Sequence, residues 1–168
     1  MPHTINSNNG LSLEAIASHL GEGRVVIFPT ETVPALAARA DTTEAVEAIY
    51  TLKQRDPKKP LSLMVADVGL LRDDLLFCSA AKRLCLAFMP GALTLVLPRN
   101  PARNRLSHLN SESNTLGFRV PDHPIAQRIL ELCDFPIVAT SVNPSGEPAA
   151  STLMQAHEYF SNLPIMID

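Results

Sequence analysis

The sequence predicts an α/β protein in which helices flank a twisted sheet. Segments with a helical period and short apolar segments alternate along the 168 residues, and no repeat, low-complexity tract or linker divides them. Hydrophobic residues make up 46% of the chain, which is enough for a domain with a sizeable core. We therefore expect a polar N-terminal extension over residues 1–10 and a single domain over residues 11–168.

Glycine, proline and capping residues set the element ends in the first part of the chain. Apolar residues from Leu13 onward share one helical face, and this helix ends at Gly21. The apolar run before Pro29 predicts a buried strand. Asp41-Thr-Thr-Glu44 has the character of a capping box and predicts a second helix. That helix should end before Pro57, because a residue that precedes proline is disfavoured in the helical region.

The same reasoning divides the second part of the chain. The Pro90-Gly91 turn ends a helix, Pro124 has the favoured first-turn position of the next helix, and Thr152 caps the last one. Short apolar runs between these helices predict strands. The predicted elements are, in order, helix 13–20, strand 25–28, helix 41–52, strand 61–65, helix 80–88, strands 93–97 and 116–120, helix 124–132, strand 137–139, helix 152–160 and a strand that begins at residue 165.

Composition argues against several classes of protein. The net charge is −3 and the sequence pI is about 5.9, so the molecule as a whole does not attract nucleic acid. The three cysteines form no CxxC pair and the five histidines show no HxxxH spacing, so we expect no protein-held metal. No apolar run reaches the roughly 20 residues of a membrane span, and the polar start lacks a signal-peptide pattern. We expect a cytoplasmic protein without a membrane partner.

Three pairs of polar residues share one spacing and one kind of position. The members of each pair are two residues apart and lie just beyond a regular element, where extended chain points both side chains to the same side. Each pair alone is also typical of an ordinary strand, a solvated edge or a turn. Together they predict a site for a polyphosphate or carboxylate ligand, in a chain without Walker, GxGxxG or GxSxG motifs. The pairs are Thr30 and Thr32, Lys53 and Arg55, and Ser141 and Asn143.

Six sequence blocks extend this pattern to most of the chain. The blocks are Phe28-Pro-Thr-Glu-Thr-Val33, Ile49-Tyr-x-Leu-Lys53-x-Arg55, Pro60-Leu61, Pro90-Gly-x-Leu-Thr94, Gly117-Phe-Arg119-x-Pro121 and Thr140-Ser-Val-Asn143-x-Ser145-Gly146. In order and spacing they resemble the YrdC-like proteins, and the resemblance runs from about Leu11 to about Thr152. One block would be weak evidence, but six in series are specific.

The resemblance implies both a fold and an activity. The YrdC-like fold is a twisted, mixed sheet with helices on both faces. The implied enzyme is an L-threonylcarbamoyladenylate synthase, which joins L-threonine, bicarbonate and ATP, the last with Mg²⁺, into threonylcarbamoyl-AMP and pyrophosphate. Its product serves the threonylcarbamoyladenosine modification of tRNA. The implied partners are therefore tRNA or double-stranded RNA and proteins of the tRNA-modification pathway.

The resemblance also implies roles for eight residues, in a catalytic pair, a nucleotide group and a threonine group. The catalytic pair would offset phosphate charge and also bind the nucleotide. A guanidinium in the threonine group could grip the substrate carboxylate through two hydrogen bonds, a role that we favour over a surface ion pair because this arginine lies on an apolar strand. The members are Lys53 and Arg55 in the first group, Ser141, Asn143 and Ser145 in the second, and Thr30, Thr32 and Arg119 in the third.

Two features differ from the family pattern and leave other functions open. Pro34-Ala35-Leu36-Ala37 replaces the usual Tyr-Gly-Leu-Gly, which should change the shape of the substrate pocket. The segment after Thr152 is shorter than is usual for the family, so we expect a more open nucleotide site. One alternative is a carbamoyl-handling domain with another acceptor. The other is a non-catalytic relative that binds RNA through the basic residues Lys53, Arg55, Lys58 and Lys59.

Overall fold

The computed structural model describes residues 12–103 and 105–163, which form a mixed six-stranded sheet with helices on both faces. The strands are β1 (Val26–Phe28), β2 (Ala35–Arg39), β3 (Ser62–Met64), β4 (Leu95–Pro98), β5 (Thr115–Arg119) and β6 (Ile137–Ser141). The helices are α1 (Leu13–Gly21), α2 (Thr43–Lys53), α3 (Ser79–Phe88), α4 (Pro124–Glu131) and α5 (Leu153–Tyr159). The predicted α/β class and mixed sheet are confirmed.

The strand order is β1-β2-β6-β3-β5-β4. Only β3 and β5 run parallel; the other neighbouring strands within the described residues are antiparallel. The central strand β6 pairs with β2 on one side and β3 on the other. Ala35, at the start of β2, lies opposite Ser141 at the end of β6, and Ser62 on β3 lies opposite Ala139. This register brings the chain after β1, the start of β3 and the chain after β6 to one edge of the sheet.

Strands β1 and β2 are buried on both faces, which explains why β1 reads as a continuous apolar run, whereas β4 exposes Val96. In β1, Ile27 packs into the core beneath α2, α3 and α5, whereas Val26 and Phe28 pack into the core beneath α1 and α4. In β2, Leu36 packs into the core beneath α2, α3 and α5, and Ala37 packs into the core beneath α1 and α4. Alternate side chains of one strand therefore stabilise two separate layers of helices. No helix within residues 12–103 and 105–163 is long and apolar enough to cross a membrane.

The prediction missed strand β2. Alanine has low strand propensity, so Ala35–Arg39 gives no local strand signal. In the structure this segment pairs with β1 and β6, and its first four residues are buried. Tertiary pairing and small side chains that fit beneath two helix layers therefore outweigh propensity. The prediction also missed a single 3₁₀ turn at Val68–Leu71. Strand β6 extends to Ser141, two residues beyond the predicted end. The strand predicted from residue 165 lies outside the described residues.

The predicted capping box of the second helix is wrong in detail. Thr42 is the N-cap of α2, but its side chain makes no capping hydrogen bond. The Asp41 carboxylate pairs instead with Arg39, whose Nε lies 2.5 Å from Asp41 Oδ1. The acidic residue therefore joins the end of β2 to the start of α2 rather than capping the helix.

Candidate active site

Four of the eight predicted polar residues line a small cavity where the bend after β1 approaches β3, β5 and the end of β6. Its volume is about 160 Å³, below the roughly 300–1,000 Å³ of pockets for drug-sized ligands. Six hydroxyl side chains and one guanidinium line it, together with apolar residues of the central strands. These polar residues define the hydroxyl cavity: Thr30, Thr32, Ser62, Thr94, Thr140, Ser141 and Arg119.

Lys53 is a buried cation beside this cavity. It is the last residue of α2, and only 1% of its surface is exposed. Its Nζ donates to the carbonyl oxygens of Ser141 and Asn143 at 2.5 and 2.7 Å and to Asn143 Oδ1 at 2.9 Å. The three N–H groups of the ammonium are thus all used. Burial, with a smaller contribution from the charge of Arg55, lowers the pKa of Lys53 to about 8.

These bonds fix the segment of residues 141–147, which we call the β6 loop. Asn143 Oδ1 also accepts from Ser141 Oγ at 2.7 Å, and Asn143 Nδ2 donates to the carbonyl of Glu147 at 2.6 Å. The Ser145 backbone N–H donates to the Lys53 carbonyl at 2.8 Å. Gly146 completes the loop with φ of +96°, a conformation that favours glycine. The structure therefore brings Lys53, Ser141, Asn143 and Ser145 together, as the sequence predicts.

The expected geometry of the Lys53 and Arg55 pair is wrong. The segment is not extended, because Lys53 ends a helix and Gln54 follows in the left-handed conformation, with φ of 50°. Arg55 is directed to another part of the surface, where it donates to the carbonyls of Lys59 and Pro60 at 3.4 and 3.0 Å. The Lys53 side chain is therefore buried and bound to the β6 loop, whereas the Arg55 side chain is partly exposed.

Thr30, Thr32 and Arg119 do come together. The two threonine hydroxyl oxygens lie 3.1 Å apart, and Thr30 Oγ1 donates to the Val33 carbonyl at 2.7 Å. Arg119 reaches the same bend from β5 and donates from Nη1 to Thr32 Oγ1 at 3.3 Å. The chain forms a bend here rather than the extended segment that the spacing suggested.

Glu31 is a polar residue at this site that the sequence reasoning did not single out. Its Oε1 accepts from Arg119 Nη2 in an ion pair whose side chains are 18% and 17% exposed, for the glutamate and the arginine respectively. The sequence reasoning favoured a ligand over an ion pair for Arg119, whereas the structure shows an ion pair with Glu31. Because an unpaired Arg119 would be costly, the neighbouring blocks could have been searched for a carboxylate. Glu31 lies in the first of those blocks.

A larger cavity, with a volume of about 570 Å³, shares Ser62 with the hydroxyl cavity. It is bounded by the loop from Asp56 to Leu61, by Val96 and by residues 110–113. Gly117 forms part of its wall, where a Cβ atom would come within 3.1 Å of Ser62 Oγ. The two cavities are therefore neighbours on either side of Ser62.

No group of three or more His, Cys, Asp or Glu side chains in the described part of the chain is arranged to hold a metal ion. The cysteines Cys78, Cys85 and Cys133 are free thiols. Apart from the Glu31 carboxylate, which is paired with Arg119, the polar groups at the site are hydroxyls, amides and cations, which suit a ligand that carries phosphate or carboxylate groups.

Comparison with known proteins agrees with this geometry. A family model described as telomere recombination, for Sua5, YciO and YrdC proteins, matches residues 18–168. The chain belongs to the Sua5/YciO/YrdC family. It is 42% identical to a threonylcarbamoyl-AMP synthase of Bacillus subtilis over 85% of this chain and 41% of that protein. It is 31% identical to a synthase of the same name from Yersinia enterocolitica, over 95% of this chain and 85% of that one.

Among solved structures of the Sua5/YciO/YrdC family, the chain resembles P. abyssi Sua5 complexed with L-threonine. The TM-score is 0.84 at 33% identity, over 93% of this chain and 46% of that chain. The chain thus spans less than half of the B. subtilis and P. abyssi proteins. The segment that departs from the family pattern has a clear position here, because Pro34 and Ala35 form part of the hydroxyl cavity wall.

We expect Lys53→Met to destabilise the protein by about 3 kcal/mol, because it leaves three partly buried acceptors without their donor. Urea unfolding measures this loss. Lys59→Met is the matched control, since Lys59 is exposed and its replacement should change the free energy of unfolding by less than about 0.5 kcal/mol. Equal stability of the two variants would contradict a structural role for the ammonium.

Proposed function

We propose that this chain is an L-threonylcarbamoyladenylate synthase that converts L-threonine, bicarbonate and ATP into threonylcarbamoyl-AMP and pyrophosphate. The main support is the hydroxyl cavity, in which one guanidinium and six hydroxyls lie beside a loop held by a buried cation. The names of the curated relatives and the threonine complex of P. abyssi Sua5 support the same activity.

The proposed chemistry needs no covalent bond between enzyme and substrate. The threonine amine and bicarbonate form a carbamate with loss of water. A carbamate oxygen then attacks the α-phosphorus of ATP, and the bond to the β-phosphate breaks to release pyrophosphate. Such a reaction is accelerated by holding the reactants together and by neutralising charge on the phosphates. Mg²⁺ would arrive with ATP as part of the substrate.

Arg55 and Lys53 would contribute to this neutralisation in different ways. Two of the five N–H groups of Arg55 are used by backbone carbonyls, so the guanidinium can still donate to a phosphate. All three N–H groups of Lys53 are already used, so its positive charge would act through the β6 loop without direct contact. We assign Ser141 and Ser145 to the nucleotide and Asn143 to the support of that loop.

Thr30, Thr32 and Arg119 would hold the threonine end of the substrate in the hydroxyl cavity, with the ATP phosphates towards the β6 loop. The proposal includes a cytoplasmic location, and tRNA and proteins of its modification pathway as later partners. RNA binding without catalysis has less support, because Lys53 is buried and Arg55 is bound to backbone carbonyls. That leaves Lys58 and Lys59 as the exposed members of the proposed basic cluster.

The proposal predicts release of pyrophosphate from ATP that depends on both L-threonine and bicarbonate. A coupled pyrophosphate assay with each reactant omitted in turn measures this dependence. Equal release without threonine would indicate another acceptor, such as that of a carbamoyl-handling domain. No release with all three reactants present would contradict the synthase and favour the RNA-binding alternative.

Arg55→Ala should reduce turnover in this assay by about tenfold to hundredfold, the effect of losing one charge-assisted contact worth roughly 1.5–3 kcal/mol. Arg83→Ala is the control and should keep wild-type turnover, because Arg83 is an exposed arginine on α3 that borders neither cavity. If both variants keep wild-type turnover, Arg55 is an ordinary solvated residue and its role in phosphate binding is wrong.

A further inference from the structure

The Glu31–Arg119 ion pair has an incomplete hydrogen-bond arrangement. Glu31 Oε1 is bound by Arg119 Nη2, yet Glu31 Oε2 and Arg119 Nε are both buried and have no hydrogen-bond partner among the described residues. A side-on arrangement with two parallel hydrogen bonds would use all of these atoms, and it is not formed. Buried polar atoms without hydrogen-bond partners are rare because they raise the free energy of the folded protein. We therefore interpret the pair as arranged to bind a ligand that supplies the two missing partners.

The two unused atoms are of opposite kinds. Arg119 Nε is a donor that needs an acceptor such as a carboxylate oxygen, and Glu31 Oε2 is an acceptor that needs a donor such as an ammonium N–H. A free α-amino acid supplies both groups on one carbon atom. A simple carboxylate supplies only the first and would add a second negative charge beside Glu31.

Charge balance leads to the same ligand. Because Glu31 already neutralises Arg119, the pair has no net charge to attract a plain anion. A zwitterion adds one charge of each sign and keeps the site neutral. Glu31 lies on the bend between β1 and β2, so a change of its rotamer can bring its free oxygen to a ligand without movement of the sheet.

We infer that Glu31 is a specificity-determining residue that binds the α-ammonium group of the amino-acid substrate, while Arg119 binds its carboxylate. This inference rests on the proposed function and adds to it the reason why a free amino acid is selected. The pair therefore discriminates L-threonine from the same molecule without its amino group, (R)-3-hydroxybutyrate.

Calorimetric titration of the full chain with L-threonine and with (R)-3-hydroxybutyrate tests this inference. In Glu31→Gln, we expect threonine affinity to fall about tenfold to hundredfold, because one charged hydrogen bond is lost. The affinity for (R)-3-hydroxybutyrate should stay the same or rise, since a like charge is removed. The ratio of the two affinities therefore falls, which a general loss of structure would not produce.

Asp41→Asn is the matched control. Asp41 also forms a partly buried ion pair with an arginine, Arg39, with side chains 19% and 32% exposed. Arg119 lines the hydroxyl cavity, whereas Arg39 does not. This variant should keep the wild-type affinity ratio. Glu31→Asp retains the charge on a shorter side chain and should keep part of the preference, so it provides a second test if Glu31→Gln does not fold.

The outcomes separate this inference from the proposed function. Wild-type protein that binds no threonine would overturn both. Wild-type binding that Glu31→Gln leaves unchanged would overturn the role of Glu31 alone. Tighter threonine binding by Glu31→Gln would also overturn it, because Glu31 would then be a competitor for Arg119.

Discussion

The three hydrogen bonds of the Lys53 ammonium connect the helix layer to the loop that carries Ser141, Asn143 and Ser145. Lys53 ends α2 and is bound to residues 88 and 90 positions further along the chain. No ion pair in the described part of the chain includes Lys53, so its charge is stabilised by carbonyl and amide oxygens. A buried ammonium without such oxygens would be very costly. The loop conformation and the buried charge therefore depend on each other.

The strand order explains why distant residues share one site. Since β6 lies between β2 and β3, the bend that precedes β2, the start of β3 and the loop after β6 meet at the same edge. Arg119 lies at the end of β5, beside Met64 at the other end of β3, and its long side chain reaches Thr32 and Glu31 in that bend. The site thus combines a rigid loop held by Lys53 with a bend held by the Glu31–Arg119 pair.

Local signals in the sequence were sufficient for most of the fold and for part of the polar cluster, but not for its contacts. Proline, glycine and apolar periodicity predicted the helices and most strands. The polar pairs beyond element ends predicted several of the residues that meet, but Arg55 lies apart and Glu31 was missed. Strand β2 was missed because its alanines gain their stability from neighbours on both sides. The partners of Lys53 and Arg119 were missed because those contacts join residues nearly 90 positions apart, and a spacing of two residues carries no information about them.

The state of the Lys53 ammonium is the central claim of this account, and ¹⁵N NMR of the lysine side chains measures it most directly. An ammonium bound by three acceptors and buried beside the site should give a slowly exchanging signal that titrates near pH 8. The side-chain amide signals of Asn143 should shift with the same midpoint, because Asn143 Oδ1 accepts from Lys53. A Lys53 signal that exchanges rapidly with water and titrates at about pH 10.4, as the signal of an exposed lysine does, would contradict the account.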